Sequence, residues 1–172
     1  MDVNCSGSLI SGNLIEDNDV GGMLIELDYG ALIQDNVIRR NNLSLADGFK
    51  GGGIYIQNSS NVIVRRNFVV GNGGGIWLYE SNRGQGAQGP WVTQNNQIED
   101  NIIAFTAGRN GFGGSAQHTP TNRFQRNTYY VAGAGSFFLG TPVDIAGWQK
   151  FGFDTPAGGS VVNLRPLSPD LP

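Results

Sequence analysis

One asparagine recurs along this sequence in a fixed setting, at Asn13, Asn36, Asn67, Asn101 and Asn127. An apolar residue stands three positions before each of them (Ile10, Ile33, Val64, Ile98, Phe124), and another stands two positions after (Ile15, Ile38, Val69, Ile103, Tyr129). A second asparagine follows five positions on in the first three units, at Asn18, Asn41 and Asn72. The stretch Asn61 to Glu80 (NVIVRRNFVVGNGGGIWLYE) holds one complete unit: three short apolar runs separated by Asn and Gly bends, with no helical period. Successive units are 23, 31, 34 and 26 residues apart. Self-similarity at that period belongs to solenoids, in which each repeat buries its apolar face only against its neighbours.

Three short strands per unit, joined by tight bends, describe one coil of a parallel β-helix. The expected architecture is all-β, a right-handed parallel β-helix of about five coils over residues 1–140, with a cap and tail over 141–172. The shortest spacing is near that of a bare coil, and the longer ones read as loop insertions, including Leu43–Lys50 and a polar loop from Ser81 to Gln94. The asparagine columns are assigned a structural role. Asn tolerates the left-handed backbone that bends require, and stacked carboxamides bond from coil to coil as in cross-β ladders. Composition agrees with many tight turns: 27 glycines, 15% charged and 39% hydrophobic residues.

The two ends read differently. Asp2-Val3-Asn4 aligns with Glu26-Leu27-Asp28 one coil later, so the chain is expected to begin within a coil. Its open strand edge would then be covered by further coils or by another chain. At the other end, Thr141-Pro142-Val143-Asp144 reads as a helix start with Thr141 as N-cap. A short helix through Ile145 and Trp148, ending near Gly152, is expected to lay Trp148 and Phe151 over the last coil, with Val161–Leu167 completing the cap.

Charge and composition narrow the function. A net charge of −3 with only two lysines argues against nucleic acid or an anionic membrane as partner, and no apolar run is long enough to span a bilayer. The opening residues do not read as a leader peptide. With one Cys and one His, a Cys/His metal site is not expected, and no cofactor is indicated. Arg39-Arg40 and Arg65-Arg66 fall at equivalent bends and read as a solvated stripe.

Strand residues alternate between core and solvent. In the third strands Met23, Ile25, Leu27, Ile54, Ile56, Ile76 and Leu78 would point inward. Leu24/Glu26, Tyr55/Gln57 and Trp77/Tyr79 would then form an exposed row. Aromatic rings beside carboxylates and amides suit sugars, whose C–H faces pack on π surfaces. Tyr55, Gln57, Trp77, Tyr79 and Arg83 are therefore the expected substrate-binding residues, and a polysaccharide or oligosaccharide is the expected partner. Asp2 and Glu26, on adjacent coils about 4.8 Å apart, are the candidate catalytic pair. Two carboxyls held about 5–5.5 Å apart serve a retaining glycosidase, and crowding raises one pKa while the other group stays ionised. The alternative is a pair of solvated surface acids. Glu80 and Arg83 are expected to pair across the strand exit, Asp28 and Tyr29 to shape the next bend, and His118 to lie on a loop surface.

With its repeats laid out, the chain resembles the right-handed parallel β-helix repeat proteins of bacteria, the pectate-lyase-like superfamily. The stretches LIELDYGALIQDNVIRRN, GGGIYIQNSSNVIVRRNFVVGN and DIAGWQKFGFDT carry the resemblance. It covers nearly the whole chain and implies an extracellular, carbohydrate-active protein. Some β-helix glycoside hydrolases, xylosidase-like ones among them, carry an Asp and a Glu on neighbouring coils, an arrangement to which Asp2 and Glu26 are similar. In those enzymes several coils precede the Asp. The superfamily holds lyases, hydrolases, epimerases and binding proteins. The alternative to hydrolysis is therefore a non-catalytic β-helix that binds glycan or serves as a structural or adhesion stalk, with a polyuronate lyase ranked lower. A lyase would want clustered Asp for calcium and a basic residue, which the sequence does not group together.

Overall fold

The computed structural model describes residues 4–43, 52–105, 110–114, 121–131, 136–163 and 167. Among these, three sheets run along the molecule. Sheet one stacks Leu9–Ser11, Leu32–Gln34, Ile63–Arg65, Gln97–Glu99 and Arg123–Gln125, every pair parallel. Sheet two stacks Leu14–Glu16, Val37–Arg39, Phe68–Asn72, Ile102–Phe105, Thr128–Val131 and Val161–Asn163, also parallel throughout. Sheet three stacks Met23–Glu26, Ile54–Gln57, Ile76–Glu80, Asn110–Gly114 and Phe137–Leu139 in parallel, then Pro142–Val143 antiparallel. This is the expected parallel β-helix. The third strand of the fourth coil, obscured in sequence by glycines, is Asn110–Gly114. Leu43 apart, the inserted loop at 43–50 lies outside the described residues.

The inward positions form one core. Ile33, Val64 and Ile98 from sheet one, Ile38, Val69 and Ile103 from sheet two, and Ile25, Ile56 and Leu78 from sheet three are all fully buried. Towards the C-terminal end the same columns turn aromatic, through Phe112, Phe124, Tyr129 and Phe137. Each buried side chain of this size contributes about 1.5–3 kcal/mol.

The asparagine columns are hydrogen-bonded ladders. Each Asn donates both its main-chain N–H and its Nδ2 to the Oδ1 one coil on, along Asn13, Asn36, Asn67, Asn101 and Asn127, at 2.9–3.0 Å. A second ladder joins Asn18, Asn41 and Asn72. The left-handed backbone falls one residue earlier than expected. It is Asp35, Arg66, Asp100 and Arg126 that have φ of 53–56°, while the ladder Asn follows them. The Asn is there for its carboxamide. The strained position before it alternates in charge along the column, and guanidinium pairs with carboxylate from coil to coil, as Arg66 with Asp35 and Arg126 with Asp100. Arg39 and Arg40 of the stripe likewise hold Glu16 and Asp17, while Arg65 donates to the Gln34 side-chain carbonyl.

The cap departs from expectation in detail. Thr141 is not an N-cap. The chain reverses at Gly140 (φ 74°), Leu139 N–H donates to the Thr141 carbonyl, and Pro142–Val143 pairs back on Phe137–Phe138. Asp144 caps the helix Ile145–Lys150 by accepting from Gly147 N–H at 2.8 Å. Trp148 plugs the core as expected, fully buried, with ring centroids 5.0 Å from Phe124 and 5.1 Å from Phe137. Phe151 does not cover the coil and is 67% exposed. Gly152 at φ 90° turns the chain so that Phe153 packs there instead, 4.7 Å from Trp148. The first ladder ends on Asp154, a fully buried carboxylate that accepts from Asn127, Tyr129 Oη, Trp148 Nε1 and Ser160 Oγ. Burial and that carboxylate push the Tyr129 hydroxyl well above its usual pKa.

Candidate functional site

Sheet three carries the outward row. Its register sets Leu24, Tyr55 and Trp77 in one column and Glu26, Gln57 and Tyr79 in the next. Only the first strand of the row is open in both columns: Leu24 is exposed and Glu26 half-buried, and Tyr79 is half-buried on the third strand. Tyr55 and Trp77 point away from the core cluster yet are each 3% exposed, and Gln57 is 8% exposed. Their expected role as an exposed sugar platform is corrected here: the rings are covered and packed into a spine. Tyr55 stacks on Tyr79 at 6.1 Å, and Trp77 meets Phe138 at 5.4 Å. The Trp77 and Tyr79 rings lean over Gly113, where a Cβ would come within 2.7 Å of Trp77. Alternation gives the direction of a side chain, but not what lies on top of it.

The segment 81–94 is no free loop but a strap folded back across earlier coils. Gln85–Gly86 and Gly89–Pro90 form a small antiparallel hairpin. At its tip Gly86 lies close over Asn4, whose Oδ1 accepts from Ala87 N–H. Tyr29 Oη donates to the Gly89 carbonyl at 2.7 Å. Asn58 Nδ2 donates to the carbonyls of Ser81 and Trp91, drawing both legs together. A strap leaving the third coil therefore reaches over the second and first coils to the strand before them. Its sequence signal was the glycine-rich QGAQGP turn, and Tyr29, Asn58 and Thr93 were not singled out as its anchors.

The strap also decides the ion pairs. The expected Glu80–Arg83 pair is not formed. Arg83 Nη1 instead bonds the carboxylate of Glu26, two coils back, and Glu80 accepts from Thr93 N–H at the strap's far leg. The Glu26 and Arg83 side chains are 17% and 39% exposed. This leaves a polar patch of Glu26, Arg83 and Tyr79 at one edge of sheet three, with the buried Gln57 in register between Glu26 and Tyr79.

The alignment of Asn4 with Asp28 is off by one residue: Cys5 pairs with Asp28, and Asn4 N–H donates to the Leu27 carbonyl at 3.0 Å. Asp2 itself lies outside the described residues, as does His118. Asp28 takes the turn role expected of it, accepting from Ala31 N–H at 3.0 Å. It is fully buried, its Oδ2 has no hydrogen-bond partner among the described residues, and desolvation raises its pKa above the usual carboxylate value. Among the described residues no group of three His, Cys, Asp or Glu side chains is placed to hold a metal ion.

Comparison with known proteins bears on the fold. Neither the curated proteins nor the solved structures contain a match to this chain. One family model matches, described as the right handed beta helix region, over residues 1–142. That span includes the five coils, both asparagine ladders and the strap, and the chain belongs to the right-handed β-helix family.

Proposed function

We propose that this protein is a carbohydrate-active β-helix that binds a polysaccharide or oligosaccharide at the patch formed by Glu26, Tyr79 and Arg83. The observation that carries this reading is the Glu26–Arg83 pair, which joins strand and strap at the edge of the aromatic spine. An exposed pair of this kind is worth only about 0–1 kcal/mol to stability. As a fixed acceptor beside a fixed fork of donors, however, it suits vicinal hydroxyls, and Tyr79 supplies an apolar edge for the C–H face of a sugar ring. Tyr55 and Trp77 support the site from behind rather than meeting the ligand.

Hydrolysis by Asp2 and Glu26 is the second reading, favoured by the partial burial of the Glu26 carboxylate next to a positioned cation. One experiment separates the two. The protein and its Glu26→Gln variant are screened on a glycan array, and each glycan bound is then assayed for cleavage. Binding without cleavage by the parent is the expected result. Cleavage by the parent that the variant loses would establish the hydrolase reading, and absence of any glycan binding would overturn both.

A further inference from the structure

Sheet one has five strands, whereas sheets two and three each gain a sixth from the C-terminal segment. The place of the missing strand is a groove of about 310 Å3 between Arg123–Gln125 and the turn 151–158. Its walls include Asn122, Arg123, Phe124 and the exposed ring of Phe151. In a parallel ladder a residue's N–H and C=O point to the same side, and alternate residues face opposite neighbours. Arg123 N–H is spent on the preceding coil, donating to the Asn96 carbonyl at 2.9 Å, so Asn122 and Phe124 face the groove. The Phe124 carbonyl is taken by Asp154 N–H at 2.8 Å. The Phe124 N–H and the Asn122 carbonyl have no main-chain partner among the described residues. These are the two groups that the single residue opposite Arg123 on an added strand would engage, and beyond that residue Asp154 closes the way.

We propose that this groove captures the C-terminal end of an extended peptide as a sixth strand of sheet one. The last residue's N–H donates to the Asn122 carbonyl, and its free carboxylate accepts from Phe124 N–H. Arg123, exposed and in no ion pair among the described residues, neutralises that carboxylate. Phe151 offers an apolar surface to the peptide's preceding side chains. Strand addition at a sheet edge and carboxylate capture by main-chain donors are both established recognition modes. Here the blocked continuation at Asp154 selects a chain end over an internal segment. The site is remote from the Glu26 patch and stands or falls without it.

The test is a titration of the isotope-labelled protein with acetyl-Gly-Val-Val carrying a free C-terminus, followed through the Phe124 and Arg123 amide resonances. Three further probes run beside it: the C-terminal amide, the peptide N-methylated at its last residue, and acetate. The free acid is expected to move the Phe124 amide, and both modified peptides to bind at least tenfold more weakly. Arg123→Gln should weaken the free acid to a similar degree, but the peptide comparison needs no variant to fold. The proposal is overturned if Phe124 does not respond, if the amide or N-methylated peptide binds equally well, or if acetate alone matches the peptide. An oligosaccharide that moves Phe124 in the peptide's place would overturn it as well.

Discussion

At the scale of single residues, the asparagines are the most informative side chains in the molecule, and they differ in consequence along one column. Asn67 is 2% exposed and sits in mid-ladder. Truncating it removes the shared acceptor of two buried Asn36 N–H groups and the side-chain donor to the Ile33 carbonyl. Each unsatisfied buried group costs about 1–3 kcal/mol, so Asn67→Ala should destabilise by roughly 3 kcal/mol in chemical denaturation, allowing for partial relaxation. Asn13 is exposed and heads the described ladder, accepting nothing from an earlier asparagine. Asn13→Ala should cost under about 1 kcal/mol. Equal costs at the two positions would mean that ladder bonding does not set the role of these residues.

Asp28 gives a second residue-scale prediction, and its sign is opposite to that of a salt-bridged acid. Its folded-state pKa is raised by burial, so the folded chain resists ionisation more than the unfolded chain does. Stability is then fullest below the ordinary carboxylate pKa and falls as pH rises through the folded-state value, by about 1.4 kcal/mol per unit of upward shift. Relative to Asp28→Asn, the parent should therefore lose stability between pH 4 and pH 7. Urea midpoints of both proteins across that range decide it. A difference that stays constant, or that moves in favour of Asp, would contradict the burial account.

At the scale of elements, the cap and the strap show where local sequence signals hold and where tertiary context wins. The buried Trp148 was legible because an amphipathic turn with a single large aromatic has one natural use at the end of a solenoid. Its neighbour Phe151 was misjudged because the positive φ at Gly152 redirects the chain, something no hydrophobic pattern encodes. The N-cap shifted from Thr141 to Asp144 because pairing with Phe137–Phe138 claims Pro142–Val143 as a strand. Trp148 joins Phe112, Phe124, Phe137 and Phe153 in one aromatic plug. Trp148→Ala should destabilise by about 3–5 kcal/mol and raise hydrogen exchange first in the last coil, since a solenoid loses its ends before its middle. Exchange that rises uniformly along the chain would deny the cap that local role.

At the scale of the whole molecule, the coil architecture was legible because its period, its apolar columns and its bends repeat, and any one coil is a check on the others. The site was less legible because it depends on what does not repeat. Tyr55 and Trp77 were expected in the open and lie covered, and Arg83 was expected beside Glu80 and reaches Glu26 instead. The first reflects side-chain packing along the row and the second a contact between coils that are not neighbours, and periodicity is silent on both. The strap is the largest of these departures, and it is the element that brings a cation to the carboxylate.

The most direct test of the proposed site is therefore the affinity of the best array glycan for the parent and for Arg83→Ala, measured by titration calorimetry with thermal unfolding as a control. Arg83 is partly exposed and its ion pair contributes little to stability, so the variant should unfold within a few degrees of the parent. Its affinity should fall about tenfold or more, the equivalent of about 1.4 kcal/mol. A variant that stays folded and binds the glycan as tightly as the parent would contradict the placement of the sugar at the Glu26–Arg83 patch.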